Sequence, residues 1–185
     1  MYKLFIDTHS SIINISFIKG NTIISKEKES IKSHSEFTLP LIKEIMDKQL
    51  IKFSDIEEII VVSGPGSFTG IRIGITIAKV MAVFLPCKIK TITSLECFLV
   101  SNETTNNKIS LIEDNNGFYL MVMDKDNNIM LPPLFTSNSS LYIKDNEVVN
   151  NKLDIMKIIE YSSKLSYSEP HNTKATYIKV IEAQK

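Results

Sequence analysis

Apolar and polar residues alternate through residues 3–8, 12–18 and 22–28, with a Ser-containing turn and a Gly-Asn turn between the runs. A period of two with many β-branched residues predicts three strands, and such short turns predict an antiparallel meander. At residue 35 the period changes. Phe37, Leu41, Ile42, Ile45, Met46 and Leu50 recur at intervals of three and four, which places them on one face of a helix over 35–50. Glu36 suits its first turn through the helix dipole, whereas Pro40 removes one hydrogen bond and bends the axis. Residues 59–62 form an unbroken apolar run bounded by Ser63-Gly64-Pro65-Gly66, the pattern of a central strand buried on both faces. Beyond the glycine loop the periodicity predicts a helix over 71–84, stopped near Pro86, and a strand over 88–93.

The order is three strands, helix, strand, helix, strand. A hairpin meander followed by parallel crossovers describes an α/β lobe of ribonuclease-H-like topology better than a Rossmann or barrel fold. Residues 102–108 are a polar Asn/Thr run suited to a hinge. After it, strands are predicted at 109–112, 118–123 and 141–143, and an amphipathic helix at 153–165. The expected organisation is a first lobe over 1–101 and a smaller second lobe over 102–185.

Composition narrows the function classes. The chain has 185 residues, 43% of them hydrophobic and 23% charged, enough for one folded unit or two small lobes. Lys plus Arg and Asp plus Glu are each 21, so the chain lacks the excess of positive charge that a free-standing nucleic-acid binder needs. Its two cysteines, Cys87 and Cys97, are too few for a thiolate metal site and fit a reducing, cytoplasmic compartment. The opening residues lack the pattern of a signal peptide, and no run is apolar and long enough to span a membrane. Twenty lysines against one arginine, with 29 isoleucines and 14 asparagines, suggest AT-rich coding. Against that drift, three of six glycines and the single arginine fall between Gly64 and Arg72.

That stretch, SGPGSFTGIRIG from Ser63 to Gly74, is the strongest chemical candidate. Gly64, Gly66, Ser67, Thr69 and Gly70 could aim backbone N–H groups at an anion, with close strand-to-helix packing as the equal alternative. Neither the Walker A nor the dinucleotide spacing is met. Ser67 and Thr69 read first as helix caps, since no base lies near them in sequence. Asp7, beside Thr8, His9, Ser10 and Ser11, could hold a metal or orient a phosphate, or simply cap a turn. His9, His34 and His171 are too widely spaced for a helix-borne metal site; His34 reads as a helix-start residue and His171 as solvated. Arg72, a cation in the first turn of a helix, calls for a specific partner, either a carboxylate of another element or an acidic group on another protein. Lys79 lies two turns on and can share that face or be ordinary surface.

These residues are specific enough to resemble a family. Residues 63–82, SGPGSFTGIRIGITIAKVMA, closely resemble the signature loop and helix of the bacterial TsaB (YeaZ) family. FIDTHSSIINIS from Phe5 resembles its opening strand pair, and His34-Ser35-Glu36 with Leu39-Pro40-Leu41-Ile42 its first helix. Beyond residue 100 the resemblance thins: Asp114, Gly117 and Tyr119 match a family motif in which Asn115 and Asn116 replace Ala-Arg, and Thr176-Tyr177-Ile178-Lys179 is similar to its terminal Tyr-Leu-Arg segment.

The resemblance implies the two-lobed ribonuclease-H-like fold of the actin/Hsp70/sugar-kinase superfamily, here with a shortened second lobe. It further implies a noncatalytic subunit, with no catalytic residue, metal or cofactor of its own, in the complex that makes N6-threonylcarbamoyladenosine in transfer RNA. A TsaD-type subunit would supply the metal and the transfer chemistry, a TsaE-type ATPase would join the complex, and tRNA would be met only through it. In this family the first lobe's two helices pack on the same helices of TsaD, or on a second copy when TsaD is absent. Phe37, Leu41, Ile45, Phe68, Ile71, Arg72, Ile75, Lys79 and Met81 are the contact candidates, with core packing the alternative for each apolar one. The rival expectation is an enzyme of the same superfamily, either a nucleotide-dependent phosphotransferase or a metallopeptidase. A homodimeric scaffold with another partner is the third.

Overall fold

The computed structural model describes residues 1–30 and 33–178. The opening meander forms as predicted: β1 (Tyr2–Asp7), β2 (Ile12–Lys19) and β3 (Thr22–Glu29) pair antiparallel. Helix α1 (His34–Gln49) follows, then β4 (Ile56–Val62), α2 (Phe68–Phe84) and β5 (Lys88–Ile92). Strand β1 pairs parallel with β4, and β4 with β5, giving a five-stranded sheet in the order β3-β2-β1-β4-β5. The unbroken apolar run of β4 is explained by its neighbours. Ile59 and Val61 face α1 and α2, while Ile60 and Val62 face the opposite layer.

That opposite layer begins with a helix that the periodicity missed, α3 (Ser94–Ser101). Its start was written in the sequence as a capping box: Thr93 Oγ1 accepts from the Glu96 N–H at 3.1 Å, and Glu96 Oε2 accepts from the Thr93 N–H at 2.7 Å. Leu95, Phe98 and Leu99 pack there with Phe5, with Met121 and Met123 of the second sheet, and with Ile158 of a later helix, so one apolar cluster joins both sheets.

The second sheet has the order β8-β7-β6-β9 and uses β6 (Lys108–Asp114), β7 (Gly117–Met123), β8 (Ile129–Thr136) and the two-residue β9 (Glu147–Val148). Strand β8 was not predicted because Pro132 and Pro133 sit within it; it lies at the sheet edge, where missing N–H donors are tolerated. The strand predicted at 141–143 is instead a single helical turn, α4 (Ser140–Ile143). The Tyr142 and Ile143 N–H groups both donate to the Ser139 carbonyl, and three apolar residues are too few for a period to separate helix from strand. Helix α5 (Ile155–Ser162) is shorter at both ends than the predicted 153–165, with Asp154 as its cap. Together the two sheets and their helices form the α/β, two-lobed ribonuclease-H-like fold with a small second lobe.

Candidate functional site

The glycine loop is fastened from several sides. Ser67 caps α2 by accepting the Gly70 N–H at 3.2 Å, and its own N–H donates to the His9 carbonyl at 2.6 Å. Thr8 Oγ1 donates to the Gly70 carbonyl at 2.7 Å. A Cβ on Gly70 would collide with the Thr8 carbonyl, and one on Gly66 with the His9 carbonyl. Gly66 also has φ +149, a conformation that side chains rarely adopt. Close packing of the β1–β2 turn on the start of α2 therefore accounts for these glycines. The Ser67 and Gly70 N–H groups, two of the anion-binding candidates, are engaged within the chain. Gly64 lies behind the loop, its carbonyl accepting the Ser94 N–H at 3.0 Å, and Thr69 is an exposed residue of the first turn rather than a cap.

Asp7 and His9 line a cleft of about 920 Å³ between the lobes, together with Ser67, Phe98, Asp114 and Tyr119. Asp7 is buried and accepts from His9 Nδ1 at 2.6 Å and from the His9 N–H at 3.0 Å. Burial opposes the charged imidazole of His9, but the Asp7 charge and hydrogen bond outweigh it and raise its pKa above the usual value. His34 opens α1 as expected, with Nε2 hydrogen-bonded to the Ser10 carbonyl oxygen at 2.7 Å; His171 is exposed. Among the described residues, no three His, Cys, Asp or Glu side chains converge to hold a metal ion. Cys97 is fully buried, which pushes its thiol well above the usual pKa.

Within the chain, Arg72 meets aromatic rings rather than a carboxylate of another element. Its guanidinium stacks 3.7 Å from the Phe68 ring centre, and Nε donates to the Tyr177 hydroxyl at 3.0 Å. Tyr177 belongs to a segment laid across the loop: the Thr176 N–H donates to the Ser63 carbonyl at 2.8 Å, and the two hydroxyls lie 2.9 Å apart. Lys179, the last residue of the terminal resemblance, lies outside the described residues. Lys79 is half-buried and donates to the His171 carbonyl at 3.2 Å.

The contact candidates divide sharply. Leu41, Ile45, Ile71, Ile75 and Met81 are buried in the core between the helices and the sheet, so they are not available to a partner. Phe37 is partly buried against the same core. Phe68 and Arg72 are exposed. The exposed apolar face runs instead through Leu39 of α1 and Val80, Val83 and Phe84 of α2, the last 81% exposed, with Ile73 and Ile77 half-buried beside it. A groove between the two helices lies along part of it, lined by Leu39, Phe68, Ile73 and Ile77. The signal for this face was present. Between Ile71 and Phe84 only Arg72, Thr76 and Lys79 are neither apolar nor glycine, and a helix apolar on nearly every side has a second surface to cover.

Residues 19–128 match the family model described as TsaD, tRNA N6-adenosine threonylcarbamoyltransferase. Among curated proteins, the chain is 32% identical over 115 residues to the tRNA threonylcarbamoyladenosine biosynthesis protein TsaB of Bacillus subtilis, covering 62% of this chain and 50% of that one. The chain belongs to the TsaB (YeaZ) family. A Buchnera aphidicola TsaB is also 32% identical, over 111 residues, covering 59% of this chain and 49% of that protein. The chain thus spans about half the length of these curated relatives. YeaZ from Pseudomonas aeruginosa superimposes with a TM-score of 0.78 at 14% identity, covering 95% of this chain and 100% of that structure, a likeness of fold. The glycine loop within the matched residues is the one fastened beneath the β1–β2 turn, and the helix after it carries the exposed apolar face.

Proposed function

We propose that this chain is a noncatalytic subunit of the machinery that makes N6-threonylcarbamoyladenosine in tRNA. In this reading it holds a TsaD-type catalytic subunit against the outer face of α1 and α2. The observation that carries the proposal is that face: Val80, Val83 and Phe84 are large apolar side chains left to solvent on a helix whose other side is already committed to the core. Burying such a side chain contributes about 1.5–3 kcal/mol, so a few of them supply the driving force for a stable helix-on-helix contact. The family relationship supports a TsaD-type protein as the partner. Without the partner, the same face would pair with a second copy of the chain. A TsaE-type ATPase and tRNA would be met in the assembled complex, in the cytoplasm. Among the described residues, no helix is long and apolar enough to cross a membrane.

Sedimentation of the purified chain, alone and with the TsaD-type protein of the same organism, tests the reading. A one-to-one complex that Val80→Glu with Val83→Glu disrupts, while the variant keeps its fold, is the expected result. Unchanged complex formation by that variant would place the contact elsewhere, and no complex with a folded TsaD-type protein would remove the partner assignment.

A further inference from the structure

The second lobe carries a pocket for which the docking reading has no use. It lies where the loop after α3, the first residue of β6, the turn between β7 and β8 and one side of α5 meet, and it encloses about 360 Å³. Small-ligand sites fall in a range of roughly 300–1,000 Å³. Its charge is lopsided: Lys108, Lys125, Lys157 and Lys164 line it against Glu103 and Glu160. Glu103 and Lys157 pair at 2.7 Å, which leaves Lys108, Lys125 and Lys164 against Glu160.

Lys108 is the informative member. Its side chain is 1% exposed, and the acceptor found for its ammonium among the described residues is the Asn102 carbonyl, at 2.7 Å. An ammonium group has three protons to donate, so one carbonyl leaves a buried cation poorly compensated. Burial lowers the Lys108 pKa and nearby Lys157 adds to the effect, against weaker opposition from Asp124 and Glu103. Asn127, also in the lining, sits in the β7–β8 turn at φ 65 with its side-chain carbonyl buried and unpartnered among the described residues. A buried cation with spare protons and an amide oxygen without a donor, in one lining, mark a place where a ligand completes the hydrogen bonding.

We propose that this pocket binds the phosphate group of a small phosphorylated molecule. Ammonium groups are point charges without the planar fork that selects carboxylates, and a tetrahedral phosphate offers enough oxygens to accept from several lysines at once. A hydroxyl on the phosphate or on the molecule carrying it supplies the donor that Asn127 lacks. RNA is the less suited polyanion. The chain's formal net charge is zero, and a backbone that presents phosphate after phosphate needs a sustained positive track.

The test follows amide shifts of the isotope-labelled chain at a salt concentration of roughly 0.15 M, where loose surface attraction is screened. Inorganic phosphate, pyrophosphate and oligouridylate RNA are titrated separately, with sodium chloride at matched ionic strength as control. Pyrophosphate is expected to produce saturable shifts confined to residues 102–108, 124–128 and 157–164. The exposed pair Lys125→Gln and Lys164→Gln should together weaken that binding by about tenfold or more, equivalent to ~1.4 kcal/mol, with the rest of the spectrum unchanged. Lys108→Met should abolish it; if that variant fails to fold, the exposed pair carries the test. No saturable shift with either phosphate, or shifts indifferent to the lysine variants, would overturn the proposal. Tighter binding of oligouridylate than of pyrophosphate would overturn the assignment to a small molecule.

Discussion

His9 donates its Nδ1 proton to the carboxylate of Asp7, two residues before it, across 2.6 Å in the wall of the interlobe cleft. The direction is fixed because an ionised carboxylate can only accept. With the His9 pKa raised in the folded chain above the ordinary 6.5, the imidazolium form stabilises the fold. That contribution is complete below pH 6.5 and is lost as pH rises through the higher folded value. Unfolding free energies from urea titration should therefore fall across this window, with a slope of at most about 1.4 kcal/mol per pH unit for a single proton. His9→Gln should flatten that part of the profile; an unchanged slope would assign the proton to another group.

Gly70→Ala should destabilise the chain by about 1–3 kcal/mol, because its Cβ meets the Thr8 carbonyl in a place where neither backbone can withdraw without breaking the Thr8 to Gly70 hydrogen bond. Gly20→Ala is the comparison: no atom lies near its Cβ, so the cost there comes only from its positive φ. Thermal melts of the two variants measure the difference.

Core and surface of α2 should respond oppositely to charge. Ile75→Glu buries a carboxylate at a position only 5% exposed and should unfold or severely destabilise the chain. Val80→Glu with Val83→Glu should leave the melting temperature within a few degrees and abolish association through this face, seen by circular dichroism and sedimentation in parallel.

A partly buried charge cluster ties residues 162–167 to the first sheet. Glu58 lies 3.5 Å from Lys90 and 3.4 Å from Lys3, and accepts from the Tyr167 hydroxyl at 2.9 Å. Lys90 also donates to the Ser162 carbonyl at 2.8 Å. Lys90→Met should cost about 1–3 kcal/mol, because Glu58 loses one of two cations and the Ser162 carbonyl its donor while Lys3 and the Tyr167 hydroxyl remain, and adding Glu58→Leu should restore part of the loss. Denaturant titration of the two single variants and the double variant checks this; equal, additive losses would mean the two residues act independently.

The first lobe was legible because its elements bury long, regular apolar patterns: the alternation of β1 and β2, the three-and-four spacing of α1 and the unbroken β4 run all reappear in place. The second lobe was less so. Pro132 and Pro133 hide β8, the Leu141 to Ile143 run is too short to carry a period, and α3 announces itself through the cap at Thr93 and Glu96 rather than through amphipathicity. For the candidate contact residues, periodicity marked side chains of α1 and α2 that the fold buries. Apolar spacing marks the face a helix turns to its own sheet, so Ile71 and Ile75 stood out before Val80 and Val83. Arg72 was recognised as needing a partner, but its Tyr177 partner is 105 positions away and no local pattern points to it.

The hold of Thr176 and Tyr177 on Ser63 and Arg72 has a mechanical meaning. One segment clamps both sides of the glycine loop, so a pull on it is felt at the first turn of α2, and stiffening that turn would stiffen the segment in return. Tyr177→Ala should loosen the start of that helix, raising amide exchange there, before it changes the stability of the sheet beneath.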